Sequence, residues 1–203
     1  MKGQVLLVRS TLVSVDDYPE LTDEELMVRV VDERAAFDCL IGRYEAKLRR
    51  YLRRLMPGLR EDTDDLLQEV FVKVYMHARG FDPSLKFSSW IYRIAHNEAV
   101  SWLRKKKVRP ETVDLGEDEC ATFVASAELA RDKRELWLTR DVVARVLARM
   151  SSRYRTVLLL RFLEGRSYEE IGDILAVPGG TVATLIHRAK KEFGSVYKTH
   201  HGG

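Results

Sequence analysis

Apolar positions along the chain recur at steps of three and four far more often than at steps of two, so the elements they predict are helices. Thr22 and Glu25 have capping-box spacing, and Leu21 and Leu26 stand where a hydrophobic staple sits. A helix is therefore expected from near Asp23 to about Val31. Phe37, Leu40, Ile41, Tyr44, Leu48, Tyr51, Leu52 and Leu55 form the stripe of a second helix, from about Arg34 to Leu55, which Pro57-Gly58 ends. A third begins near Asp62–Asp64, whose carboxylates suit the positive end of a helix dipole. It carries Leu67, Val70, Phe71, Val74 and Ala78 on one face before Gly80 and Asp82-Pro83 break it. A fourth is expected from Ser88 or Ser89, running through Trp90, Ile91, Ile94, Ala95 and Leu103 into the basic run Arg104-Lys105-Lys106-Lys107.

The period fades over residues 108–126, where Pro110, Gly116 and the carboxylates of Glu111, Asp114, Glu117, Asp118 and Glu119 read as a linker. It returns from near Ala127 to about Met150, and again from about Ser152 to Glu164, where Gly165 stops it. Ser167-Tyr168-Glu169-Glu170 repeats the capping-box spacing and opens a short helix through Leu175. Ala176-Val177-Pro178-Gly179-Gly180 follows as a turn, and Thr181 is the expected N-cap of a last helix with Val182, Leu185, Ile186, Ala189 and Phe193 on one face. Short helix, Gly-bearing turn and basic second helix form a helix-turn-helix pattern, whose second helix offers its N-terminal half to the major groove. The exposed candidates are Ala183, Thr184, His187, Arg188, Lys190 and Lys191. The same pattern also suits an ordinary helical hairpin with a solvated basic face. Strand-like alternation is confined to residues 4–15, and the chain reads as all-α: two small helical domains joined by a flexible acidic linker. The expected division is an N-terminal extension at 1–21, a front domain at 22–107, the linker at 108–127, a rear domain at 128–197 and a tail at 198–203.

Charge sharpens this division. Residues 1–40 hold 4 Lys/Arg against 9 Asp/Glu, residues 41–109 hold 16 against 8, residues 110–135 hold 3 against 8, and residues 136–203 hold 11 against 6. Two basic blocks separated by an acidic stretch suit two modules that each meet a polyanion. Between Phe81 and Trp102, the aromatics Phe87, Trp90 and Tyr92 alternate with Lys86, Arg93, His96 and Asn97. These are the ingredients for stacking bases and holding phosphates of a single strand.

The remaining composition excludes rather than assigns. No run approaches 18 apolar residues, so no membrane span is expected. The apolar run before Arg9 is too short for a signal peptide, which points to a cytoplasmic protein. Cys39 and Cys120 form no CxxC pair; Cys39 is expected in the core and Cys120, in the linker, exposed. No phosphate-binding GxxxxGK[ST] loop, GxSxG elbow or HExxH is present. His96-x-Glu98 lacks the PCxxC that a zinc deaminase needs, and His200-His201 is a tail pair. No catalysis, metal or cofactor is expected.

DDLLQEVF (64–71), FDPSLKFSSWIYRIAHNEAVSWLRKKK (81–107) and SYEEIGDILAVPGGTVATLIHRAKKEF (167–193), in this order and spacing, resemble bacterial sigma-70 family initiation factors. The nearest subgroup is the extracytoplasmic-function (ECF) type, which keeps only domains 2 and 4. The likeness covers about residues 35–107 and 136–193. It implies that Asp65, Gln68, Glu69 and Phe71 dock on the clamp helices of the largest subunit of core RNA polymerase. It implies further that Phe87, Ser88, Trp90, Arg93 and Asn97 hold the single-stranded promoter −10 element with one base flipped out, while Arg104, Lys105 and Lys106 hold flanking phosphates. Unstacking a base costs a few kcal/mol, which pocket contacts offset, so melting needs no ATP. Thr181, Thr184, His187, Arg188, Lys190 and Lys191 would face the duplex −35 element, and the rear domain would also meet the flap of the second-largest subunit. The acidic linker would thread toward the active-site cleft until nascent RNA displaces it, and an anti-sigma factor would hold the free protein off. Many relatives carry a basic residue where Ala183 and Leu185 stand, so weaker or altered −35 contact is expected, with Thr184 and His187 reading bases. The expected function is a sigma factor. The rival readings are a sigma-like decoy and a helix-turn-helix regulator that works without polymerase.

Overall fold

Asp23, Glu24 and Glu25 fill the first turn of α1 (Asp23–Arg29), and the expected capping box closes it. Glu25 N–H donates to the Thr22 hydroxyl at 3.2 Å, and Thr22 N–H donates to the Glu25 carboxylate at 2.8 Å. The Thr22 N–H and the Thr22 hydroxyl both donate to the Glu25 carboxylate and hold it below its ordinary range. In the computed structural model, which describes residues 18, 20–56, 59–106, 117–127 and 139–201, every regular element is helical. The strand-like stretch at 4–15 and Pro57-Gly58 lie outside the described residues.

The front domain winds around α2 (Arg34–Leu55), whose buried stripe includes Leu40, Tyr44, Leu48, Tyr51, Leu52 and Leu55. α1, α3 (Arg60–Met76) and α4 (Phe87–Lys106) all pack on it, and a 3₁₀ turn at Ala78–Gly80 links α3 to the loop before α4. Arg43 ties α1 to α2, donating to Asp23 at 2.7 Å and to the Leu21 carbonyl at 2.9 Å. α4 begins at Phe87, ahead of the serines expected to open it. The Glu24 carboxylate of α1 accepts from Phe87 N–H at 2.7 Å, so the cap comes from a residue that local sequence does not reveal.

The rear domain departs more from expectation. Residues 117–126, assigned to the linker, form α5 (Glu117–Ser126). Cys120, Phe123 and Ala127 are 4%, 0% and 1% exposed, a three-and-four-step stripe that the surrounding carboxylates had masked. Cys120 is therefore buried, and burial pushes its thiol pKa up. The rest of the expected linker, and residues 128–138 of the helix expected from near Ala127, lie outside the described residues, while Ala127 itself stands in a turn. The described helix α6 (Arg140–Arg149) starts at a Thr139 cap. α7 (Ser152–Leu158) runs into a π-helical turn at Leu159–Leu163; α8 (Tyr168–Leu175) and α9 (Gly179–His201) complete the domain. α9 extends through positions assigned to the tail.

The turn between α8 and α9 depends on two backbone features. Ala176 takes the left-handed conformation at φ 53°, and the N–H groups of Ala176 and Val177 both reach the Gly172 carbonyl, closing α8 in a Schellman-like stop. α9 then starts at Gly179, so Thr181 lies inside its first turn and is not the N-cap; its N–H goes to the Pro178 carbonyl at 2.8 Å. A Cβ at Gly172 would stand 2.9 Å from the Val177 carbonyl oxygen, a backbone atom that cannot move without opening the turn. Gly172→Ala is expected to destabilise the rear domain by about 1–3 kcal/mol, read as a shift of its urea midpoint; an unchanged midpoint contradicts the tight turn.

Candidate nucleic-acid interface

Three exposed faces carry the residues singled out from the sequence. On α3, Asp65, Gln68 and Glu69 are exposed along one side, and Val72 and Met76 continue the same side one and two turns on. Phe71 is buried, its ring edge-on to Phe37 at 6.3 Å, so it supports this face from beneath. Val72, Tyr75 and Met76 are 57%, 51% and 71% exposed, and the sequence reading missed them. Their signal was an apolar pattern wider than one buried stripe requires.

The second face belongs to α4. Phe87 is fully buried among Tyr44, Phe81 and Trp90, with ring centroids 5.2, 5.8 and 5.9 Å away. It is a core residue, not a stacking surface. Ser88, Trp90 and Arg93 are partly exposed and Asn97 is exposed; Trp90, Arg93 and Asn97, at steps of three and four, share one side. Arg104, Lys105 and Lys106 extend the helix as exposed cations, with Lys106 Nζ 5.5 Å from the Trp102 ring. A bridge of 2.6 Å between Lys73 and Glu98 fixes α4 on α3. His96 turns inward: the Tyr51 hydroxyl lies 3.1 Å from its Nδ1, and burial lowers its pKa to about 4. It is neutral at pH 7 and is not one of the phosphate-binding cations.

The third face is the start of α9. Ala183, Thr184, His187, Arg188 and Lys191 are exposed on one side, while Val182, Leu185, Ile186 and Ala189 are buried on the other. Thr181 is partly buried, and Lys190 lies back over the Phe162 ring at 5.3 Å. Of the two positions where a basic residue was expected, only Ala183 faces outward. Leu185 is 5% exposed and belongs to the core in this conformation. Glu170 of α8 is buried enough to raise its pKa, but Ser167 N–H and the nearby Lys86 outweigh this and leave the carboxyl below its ordinary range.

The Sigma-70 region 2 family model matches residues 40–109, and the Sigma-70, region 4 model matches residues 140–193. The chain is 34% identical over 178 residues to the ECF RNA polymerase sigma-E factor of Escherichia coli strain K12, covering 85% of this chain and 92% of that one. It is 31% identical over 166 residues to the ECF RNA polymerase sigma factor SigW of Bacillus subtilis strain 168, covering 78% and 87%. Two solved structures share its fold. CnrH, in complex with the cytosolic domain of CnrY, superposes with a TM-score of 0.64 at 24% identity, covering 87% of this chain and 97% of that chain. RpoE of Bartonella quintana, in complex with the anti-sigma factor NepR, superposes with a TM-score of 0.57 at 18% identity, covering 80% and 96%. Among the described residues, no helix is long and apolar enough to cross a membrane.

Proposed function

The chain belongs to the ECF RNA polymerase sigma factors, and from that premise we propose how its three exposed faces divide the work of initiation. It is a sigma factor that binds core RNA polymerase and directs promoter recognition and DNA melting. The α3 face docks on the polymerase clamp, with Asp65, Gln68 and Glu69 supplying polar contacts and Val72 and Met76 an apolar centre. The Trp90–Arg93–Asn97 side of α4, continued by Arg104, Lys105 and Lys106, takes the single-stranded −10 element. Binding energy at that side offsets the cost of unstacking the flipped base. The N-terminal half of α9 takes the −35 duplex, with Thr184 and His187 toward base edges and Arg188 and Lys191 toward phosphates. The protein works where polymerase works, in the cytoplasm, with an anti-sigma factor as its off-switch and no catalytic step, metal or cofactor of its own.

The observation that carries this reading is the registry of each matched region with an exposed face: region 2 with α3 and α4, region 4 with the start of α9. Core polymerase plus this protein is expected to start transcripts at specific promoters in vitro, whereas a decoy or a polymerase-independent regulator gives none. Arg188→Ala should weaken promoter binding by a similar factor on every −35 sequence and lower the slope of log K against log salt by about 1. A loss confined to one base pair would make Arg188 a base reader instead.

A further inference from the structure

The two domains do not hang apart: α8 packs along α4, and a charged cluster is sealed at their junction. Arg54 of α2 is paired with Glu164, at the end of the π-helical turn, and the two side chains are 4% and 5% exposed. The other carboxylate oxygen of Glu164 accepts from the Tyr92 hydroxyl of α4 at 2.8 Å. The Arg166 guanidinium lies 4.1 Å from the centre of the Tyr92 ring. Glu119 of α5 also pairs with Arg54, and Lys86 reaches Glu170 at 3.5 Å on the rim. Every one of these contacts joins one domain to the other.

We propose that the Arg54–Glu164–Tyr92 cluster, with Arg166 stacked on Tyr92, is an intramolecular latch that keeps the free chain closed until polymerase opens it. Reach, chemistry and placement all favour a latch.

The first is reach, and it rests on the promoter reading above. The −10 and −35 elements are separated by roughly 25 base pairs, or about 85 Å of duplex at 3.4 Å per pair. With α8 touching α4 and α9 touching α8, and helices about 10–12 Å across, α9 starts within about 25 Å of α4. The closed chain cannot hold both elements at once.

The second is chemistry. A buried ion pair lies close to balance with its two hydrated ions, so it fixes one geometry while remaining easy to exchange for water. An apolar seam of the same size would lack that property. Removing one partner leaves the other buried and unpaired in the closed form only, which shifts the balance toward the open form by roughly a hundredfold or more.

The third is placement. Lys86, which lies just before α4, bridges to Glu170 on the rim of the junction, so closing also engages a cation at the edge of the proposed −10 surface.

The test uses the full chain and two variants that break the latch from opposite domains, Glu164→Lys and Arg54→Leu, with helix content followed by circular dichroism. Small-angle scattering is expected to show the wild type near a radius of gyration of about 17 Å. The variants should move toward about 24 Å, as two bodies of about 13 Å each part to about 40 Å between centres. Both variants should keep wild-type helix content and bind core polymerase at least about tenfold more tightly, because the closed fraction no longer dilutes the competent form. Variants that stay as compact as the wild type overturn the proposal, and so do variants that expand yet bind core no better. Failure of the wild type itself to bind core would defeat the sigma-factor reading instead. The scattering comparison, which needs no polymerase, still decides whether these residues hold the domains together.

Discussion

Val72→Glu combined with Met76→Glu is expected to lower the affinity for core polymerase by about a hundredfold to a thousandfold, the scale of a lost interface anchor. Its thermal midpoint should stay nearly the same. The two side chains are 57% and 71% exposed, so neither contributes much to the core, and exposed substitutions of this kind change stability by about 0.5 kcal/mol or less. An apolar side chain left in water on a helix flanked by Asp65, Gln68 and Glu69 has no folding role that would require it. A desolvated centre with a polar rim is the ordinary anatomy of a docking face. Tyr75, leaning on Phe37 at 5.2 Å between ring centroids, stiffens that centre from one side. Equilibrium binding of labelled protein to core decides the matter, with a urea transition as the control for folding. Unchanged affinity would move the docking face off α3.

The distinction between Phe71 and Val72 shows what was and was not legible in the sequence. Motif likeness singled out α3, but it named the buried Phe71 rather than its exposed neighbour Val72, because likeness carries no information about which way a side chain points. Periodicity did carry it. Phe87, Ile91 and Ala95 fall on one side of α4, and Trp90, Arg93 and Asn97 on another, so the spacing already separated core from surface. Aromatic composition obscured that signal. On α9 the two kinds of information agreed for Thr184, His187, Arg188 and Lys191, which are exposed, but not for Thr181 and Lys190, which are partly buried. The capping boxes at Thr22 and Ser167 were readable because both partners lie within one turn. The start of α4 was not, because its cap comes from Glu24, 63 residues earlier. The junction of Arg54 with Glu164, 110 residues apart, leaves no local trace at all.

The acidic stretch before the rear domain departs furthest from the expected linker, because Glu117–Ser126 is a helix packed on the π-helical turn and α6. Phe123 is fully buried, with its ring edge-on to Phe162 at 5.9 Å and tilted against Phe193 at 6.0 Å. Cutting it to alanine removes an aromatic side chain from a site bounded by the π-helical turn and α9, two elements that other contacts hold in place. The hole can close only in part, and Phe123→Ala is expected to cost about 3–5 kcal/mol. That is a large share of the stability of a domain this size, so the rear domain should melt in a transition of its own, well below that of the front domain. Losing α5 would also take Glu119 away from Arg54, removing one arm of the junction cluster. If α5 were a linker that merely rests on the surface, the same substitution would cost less than about 0.5 kcal/mol and the melting profile would match the wild type. Differential scanning calorimetry separates the two outcomes, and a front domain that keeps its own melting temperature places the loss in the rear core.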